Sequence, residues 1–189
     1  QGYYTSKPKP LFLDKISSDV VDEIISTNLE NRSEGTKKIY NARNETELDL
    51  LKLALEKYTD ITVHQSKLTL VSDASKQVKM NILIPDNSSC ELTIKNINIL
   101  SGNNRPSIIL GEYSRLELNV LKKNKLSYSG IYVPQGSQLE IKGSGDLLID
   151  SFATVGIGIG NDFEHSYGDI FINMTGSLEI MSNNEDTVC

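Results

Sequence analysis

The chain has 189 residues and a net charge of −6, and 38% of it is hydrophobic and 23% charged, proportions of an ordinary globular chain. No basic block is longer than Lys122-Lys123, which argues against a nucleic-acid partner, and no apolar run approaches the ~20 residues that span a bilayer, which argues against membrane insertion. Two cysteines, Cys90 and Cys189, make neither a disulfide framework nor a zinc pattern, so an apolar core has to hold the fold.

Residues 1–43 read as an N-terminal extension. Its first four residues carry no basic n-region and no apolar h-region, so the question of a removed leader stays open. Lys7-Pro8-Lys9-Pro10 is extended, because proline restricts both itself and its predecessor. The stretch 18–25 allows a short helix, with Ser18 as its cap and Asp19 and Asp22 in its first turn. The polar stretch around Gly35 reads as a loop.

Over 44–58 the period becomes helical. Leu48, Leu51, Leu55 and Tyr58 are spaced by three or four residues, and Asn44 with Glu47 resembles a capping box. An amphipathic helix is expected here, lying on something apolar.

From residue 59 to 189 the period is two, and an internal repeat emerges. Leu139, Ile141, Gly145, Leu147 and Ile149 recur, at an offset of 31, as Ile170, Ile172, Gly176, Leu178 and Ile180. Looser copies contain Leu92, Ile94, Ile97 and Ile99, and then Leu116, Leu118 and Val120. Another recurring strand carries Ile108 with Leu110, Ile131 with Val133, and Ile157 with Ile159. Tight two-residue hairpin signals such as Asn-Gly are absent, so stacked parallel strands explain the spacing better than hairpins. The expected fold is all-β: a right-handed parallel β-helix of about five coils, placed at 60–88, 89–113, 114–136, 137–167 and 168–189. The helix at 44–58 is expected to cap its N-terminal opening. The other opening has no such device, since the sequence stops at Val188-Cys189 within a strand, so further coils or a partner are expected to cover it. Cys90 is expected at a coil corner and Cys189 on an outward position, both as free thiols, because a bridge would have to span several coils.

The run from Gly130 through Pro134, Gly136 and Gly145, then Gly156-Ile157-Gly158-Ile159-Gly160, then Gly168 to Asn173, resembles a repeat of large surface proteins of anaerobic Gram-positive bacteria. The entry at Asn44–Leu48, followed by a helix and Asp60-Ile61-Thr62-Val63, resembles the helix-capped start of pectate-lyase-like β-helices. The resemblance covers about residues 42–189. It implies a bacterial, secreted or cell-surface protein related to carbohydrate-binding, calcium-binding or adhesin-like β-helix modules. The chain departs from the repeat at 161–167, where polar and aromatic residues replace a glycine run.

That departure is the leading candidate site. Asp162, Phe163, Glu164, His165 and Tyr167 lie in the longest insertion between strands. Asp162, Glu164 and Asp169 offer oxygen ligands for calcium, and the aromatic rings offer faces for sugars, while a plain polar surface turn is the competing reading. A second candidate groups Tyr132 with Tyr113, Tyr128, Arg105 and Arg115, against scattered surface aromatics. Outward acids are few: Glu91, Glu117, Glu140 and Glu179. Glu117 and Glu140 are expected to stack about 4.8 Å apart, close enough for a retaining glycosidase pair, with a solvated face as the bland alternative. The N-x-S/T sequons at Asn31, Asn44, Asn87 and Asn173 carry no weight in a chain so rich in Asn, Ser and Thr. The function expected is a binding, adhesion or scaffold unit, with a polysaccharide or host-surface glycan as ligand. A structural stalk, or part of a polysaccharide lyase or glycoside hydrolase, is the alternative.

Overall fold

A computed structural model describes residues 37–102, 104–152, 157–161 and 165–182. The helix considered at 18–25 lies outside them, as do Asp162, Phe163, Glu164, Val188 and Cys189.

The described residues form three parallel sheets wound by one chain. Sheet A contains β1 (Ile39–Ala42), β3 (Asp60–Val63), β6 (Asn81–Ile84), β9 (Ile108–Leu110), β12 (Ile131–Tyr132) and β15 (Ile159–Gly160), in that spatial order. Sheet B contains β2 (Glu47–Asp49), β4 (Lys67–Val71), β7 (Ser89–Lys95), β10 (Arg115–Leu121), β13 (Gln138–Gly143) and β16 (Asp169–Met174). Sheet C contains β5 (Val78–Lys79), β8 (Asn98–Leu100), β11 (Lys123–Ser127), β14 (Asp146–Ser151) and β17 (Leu178–Ser182). The chain visits A, B and C in turn, so β3–β5 through β15–β17 make five complete turns of a parallel solenoid. The expected coil boundaries at 89, 114, 137 and 168 fall at, or one residue before, the starts of the sheet B strands.

Alternation decides which residues face inward. Leu68, Leu92, Leu118, Ile141 and Ile172 form one continuous column across sheet B, each paired with the next. The 31-residue repeat is one turn: Ile141 pairs with Ile172, Leu147 with Leu178, and Ile149 with Ile180. Every inward residue named from β3 to β14 is buried. Cys90 is not at a corner. It is the second residue of β7, stacked on Leu116 in the core, and burial pushes its thiol up to about 12.

The N-terminal expectation needs correction. No 44–58 capping helix forms. Glu47–Asp49 is the strand β2, and the only helix among the described residues is α1, Leu50–Leu55. Pairing Leu48 beside Leu70 buries it in the inward column, and this tertiary gain overrides the helical period. Asp49, not Asn44, is the N-cap, its Oδ1 accepting from the amides of Leu51 (2.9 Å) and Lys52 (3.4 Å). A Schellman turn ends the helix: Tyr58 N–H donates to Leu53 O and Lys57 N–H to Ala54 O, with Lys57 at φ 68°. Leu50 and Leu53 face the core while α1 packs against β5, so the helix stands where the first turn would otherwise add a strand to sheet C.

The corner from A to B repeats a four-residue turn: Pro85-Asp86-Asn87-Ser88, Gly111-Glu112-Tyr113-Ser114 and Pro134-Gln135-Gly136-Ser137. Its third residue is left-handed each time, with φ 54° at Asn87, 55° at Tyr113 and 81° at Gly136. The serines close it. Ser88 and Ser114 donate to the carbonyls of Pro85 and Gly111, and the Ser137 hydroxyl joins two turns by donating to Gly111 O (2.8 Å) while accepting from Ser114 N–H (3.3 Å). Glycine replaces serine at 168, where an added Cβ would lie 2.1 Å from Ser137 O.

Candidate functional site

The corner between sheets A and B, over β9–β10, β12–β13 and β15–β16, gathers most of the described candidate residues. Asparagine and glycine occupy the left-handed position of this turn at low cost, whereas a bulky residue there is an outlier. Tyr113 holds that position, 67% exposed, with its ring lying across Gly136. A Cβ on Gly136 would come within 2.8 Å of Tyr113 Cε1, so the glycine supplies the ring's seat.

A groove of about 480 Å³ opens on one side of Tyr113, walled by Tyr132, Pro134, Asn161 and His165. A second of about 420 Å³ opens on its other side, walled by Arg115, Gln138, Tyr167 and Asp169. The two share Tyr113, Gln135 and Gly136, so they form one surface around the corner. Tyr132 projects outward from sheet A in the row of Leu83, Ile109 and Gly160. Tyr167 is 62% exposed, is bridged to Pro134 and rests over Gly160. Asn161 Nδ2 donates to Ser166 O at 2.9 Å and so ties the two ends of the insertion.

Thus Tyr132, His165, Tyr167 and Asp169 do converge. The second candidate separates: Tyr113, Tyr132 and Arg115 share this corner, but Tyr128 and Arg105 lie between sheets C and A. There Tyr128 packs edge-on against Phe152, with centroids 5.5 Å apart, and Arg105 Nη1 reaches the buried Asp60 carboxylate at 2.8 Å. For calcium, Asp169 stands beside Gln138 at the start of β16, and no group of three acidic, histidine or cysteine side chains is gathered among the described residues. Sequence reading missed Gln135, Gly136 and Gln138. The signal was the recurring four-residue turn with serine in its last place.

The carboxylate stack on sheet B also forms. Lys67, Glu91, Glu117, Glu140 and Phe171 follow one another across five strands. Cations interleave with it: Lys142 Nζ lies 2.7 Å from Glu117 and Lys67 Nζ 3.2 Å from Glu91, and Arg115 is 3.5 Å from Glu117 and 4.0 Å from Glu140. The Lys142 hydrogen bond holds the Glu117 carboxyl below the usual carboxylate range and raises the lysine in return. A glycosidase acid needs the opposite shift, so Glu117 is held as an ion-paired carboxylate and not as that acid. Glu179 stands apart from this row, beside Leu148 on sheet C.

Comparison of the chain with protein-family models, with curated proteins and with solved structures found no match in any of the three.

Proposed function

We propose that the chain is a binding module of a secreted or cell-surface protein, and that its ligand is a glycan held at the corner between sheets A and B. One observation carries this reading: a tyrosine, exposed and seated on a glycine, occupies a left-handed backbone position that asparagine and glycine take in the neighbouring turns. Backbone strain kept at an exposed aromatic calls for a functional reason. Sugar recognition supplies one, because a pyranose offers an apolar face to a ring and hydroxyls to planar polar groups. Tyr113, Tyr132 and Tyr167 supply the rings, and Gln135, Gln138 and Arg115 the polar groups. The likeness to surface-protein repeats of anaerobic bacteria, and a right-handed winding, belong to the same proposal.

The test is a broad glycan array followed by titration of any hit. Tyr113→Ala and Tyr167→Ala are each expected to weaken binding at least about tenfold, the scale of a lost aromatic contact. Saturable binding that ignores both substitutions would place the ligand elsewhere, and silence across the array would count against a glycan.

A scaffold role is the second reading. It is supported by Ile172, an inward-column residue of β16 that is exposed, where a further turn or a partner would cover it.

A further inference from the structure

We propose a second binding site, at the corner between sheets B and C, that takes the carboxylate or sulfate groups of an acidic polysaccharide. Lys95 ends β7, Lys122 forms the turn between β10 and β11, and Lys123 begins β11. They line a groove of about 580 Å³ with Asn96, Ser144 and Asp146. On the neighbouring sheet faces, Lys67, Lys125 and Lys142 each hold a carboxylate within 3.3 Å. Lys95, Lys122 and Lys123 hold none among the described residues. The one acid in the groove, Asp146, accepts from the Ser177 hydroxyl at 2.7 Å. Three exposed, unpaired ammonium groups on a chain of net charge −6 are a local reversal of sign, and an anion neutralises them at little desolvation cost.

The backbone makes the same point. Asn96 and Lys122 occupy equivalent turn positions after the paired residues Lys95 and Leu121, and both are left-handed, at φ 56° and 63°. Asparagine suits that conformation, and lysine gains nothing local from it. In the next turn the backbone of Gly145 packs directly against Lys122, where an added Cβ would come within 2.4 Å of Lys122 O, so no side chain from that turn competes for the corner.

Polymer geometry favours a polysaccharide. Successive turns rise about 4.8 Å, close to the length of one 1,4-linked pyranose, so charges on neighbouring turns match charges on neighbouring sugars. The groove runs on past Lys123 and Asp146 into a cleft of about 290 Å³ on sheet C, lined by Ala74 and Leu148 with Lys125 and Glu179 beside them, where sugar rings can lie. Nucleic acid and anionic membranes carry denser charge, which the acidic remainder of the chain repels.

The experiment titrates the full chain with polygalacturonate and with a sulfated polysaccharide, and in parallel with duplex DNA and phosphatidylserine vesicles, at two salt concentrations. The variant is K95Q/K122N/K123Q, with asparagine at 122 to keep the left-handed turn. K52Q/K57Q is the control for the loss of lysines away from this corner, and thermal melting confirms folding. Binding of at least one polysaccharide is expected, weakened about tenfold or more by the triple variant, weakened by salt, and unchanged by K52Q/K57Q. Tyr113→Ala should leave it intact, which separates this site from the tyrosine corner. Absence of binding to both polysaccharides, equal loss in K52Q/K57Q, or tighter binding to DNA or vesicles would overturn the proposal.

Discussion

Ile141 and Ile172 are the same residue type on adjacent strands of one inward column, yet Ile141 is fully buried and Ile172 is 53% exposed. Ile141 has β10 on one side and β16 on the other, whereas Ile172 has only β13 beside it among the described residues. Alternation therefore sets direction, and a neighbouring turn on each side sets burial. Stability in such a stack is the sum of contacts between adjacent turns, so identical substitutions should cost different amounts along it.

The sharpest test of that difference is Ile141→Asp. An unpaired carboxylate in the dry centre of the stack should cost more than about 4 kcal/mol, or prevent folding, by chemical denaturation. Next comes Arg105→Met, which removes the guanidinium that meets Asp60, a carboxylate with no solvent exposure, at 2.8 Å. Losing this ion pair at a buried carboxylate should cost about 3 kcal/mol in the same measurement. Ile172→Asp should cost only about 1 kcal/mol, the scale of a strand-propensity change at a solvated site. If it matches Ile141→Asp, something covers the last turn and the contrast collapses.

The opposite end offers a pH test. Glu45 accepts from Tyr40 Oη at 2.7 Å and from the amides of Arg43 and Asn44, and its carboxyl is held down at about 2 against an ordinary 4.5. A carboxyl lowered in the folded state contributes stability that is complete above about 4.5 and is lost as pH falls towards 2. Thermal melts of Glu45→Gln should therefore converge with the parent as pH drops through that window. The smallest effect belongs to Glu140→Gln, an outward residue 4.0 Å from Arg115, with a change under about 0.5 kcal/mol.

The inward column was legible because period-two alternation of branched aliphatics has one physical solution once hairpin turns are missing. Strand β11 was harder. Lys123-Asn124-Lys125-Leu126-Ser127 reads as polar, yet Asn124 faces the core with Leu126. Its Oδ1 accepts from Ile97 N–H, and its Nδ2 donates to the carbonyls of Leu121, Lys122 and Asp146, so a buried amide replaces an aliphatic at full hydrogen bonding. Over 44–58 the helical period was genuine but only its centre was used, since pairing with β4 took Leu48 and left Leu55 in solvent. At the candidate site, Tyr132, His165 and Tyr167 could be named from composition. Their meeting with Tyr113 and Gln135 depends on which corners stack, and that follows only once the strands are in register.

Register is therefore the property to measure directly, by cross-linking. Glu117 and Glu140 are direct partners on β10 and β13, and such neighbours lie within the Cα separation a disulfide tolerates, about 4.4–6.8 Å. In a Cys189→Ser background, E117C/E140C should oxidise readily to an intramolecular bridge mapped by peptide mass spectrometry, while Cys90, buried and with its thiol near 12, stays out of the exchange. E140C/L148C, the pair a hairpin over 139–149 would bring together, should remain reduced under the same conditions. The reverse outcome, a bridge from 140 to 148 and none from 117 to 140, would contradict the parallel solenoid and dissolve both binding corners with it.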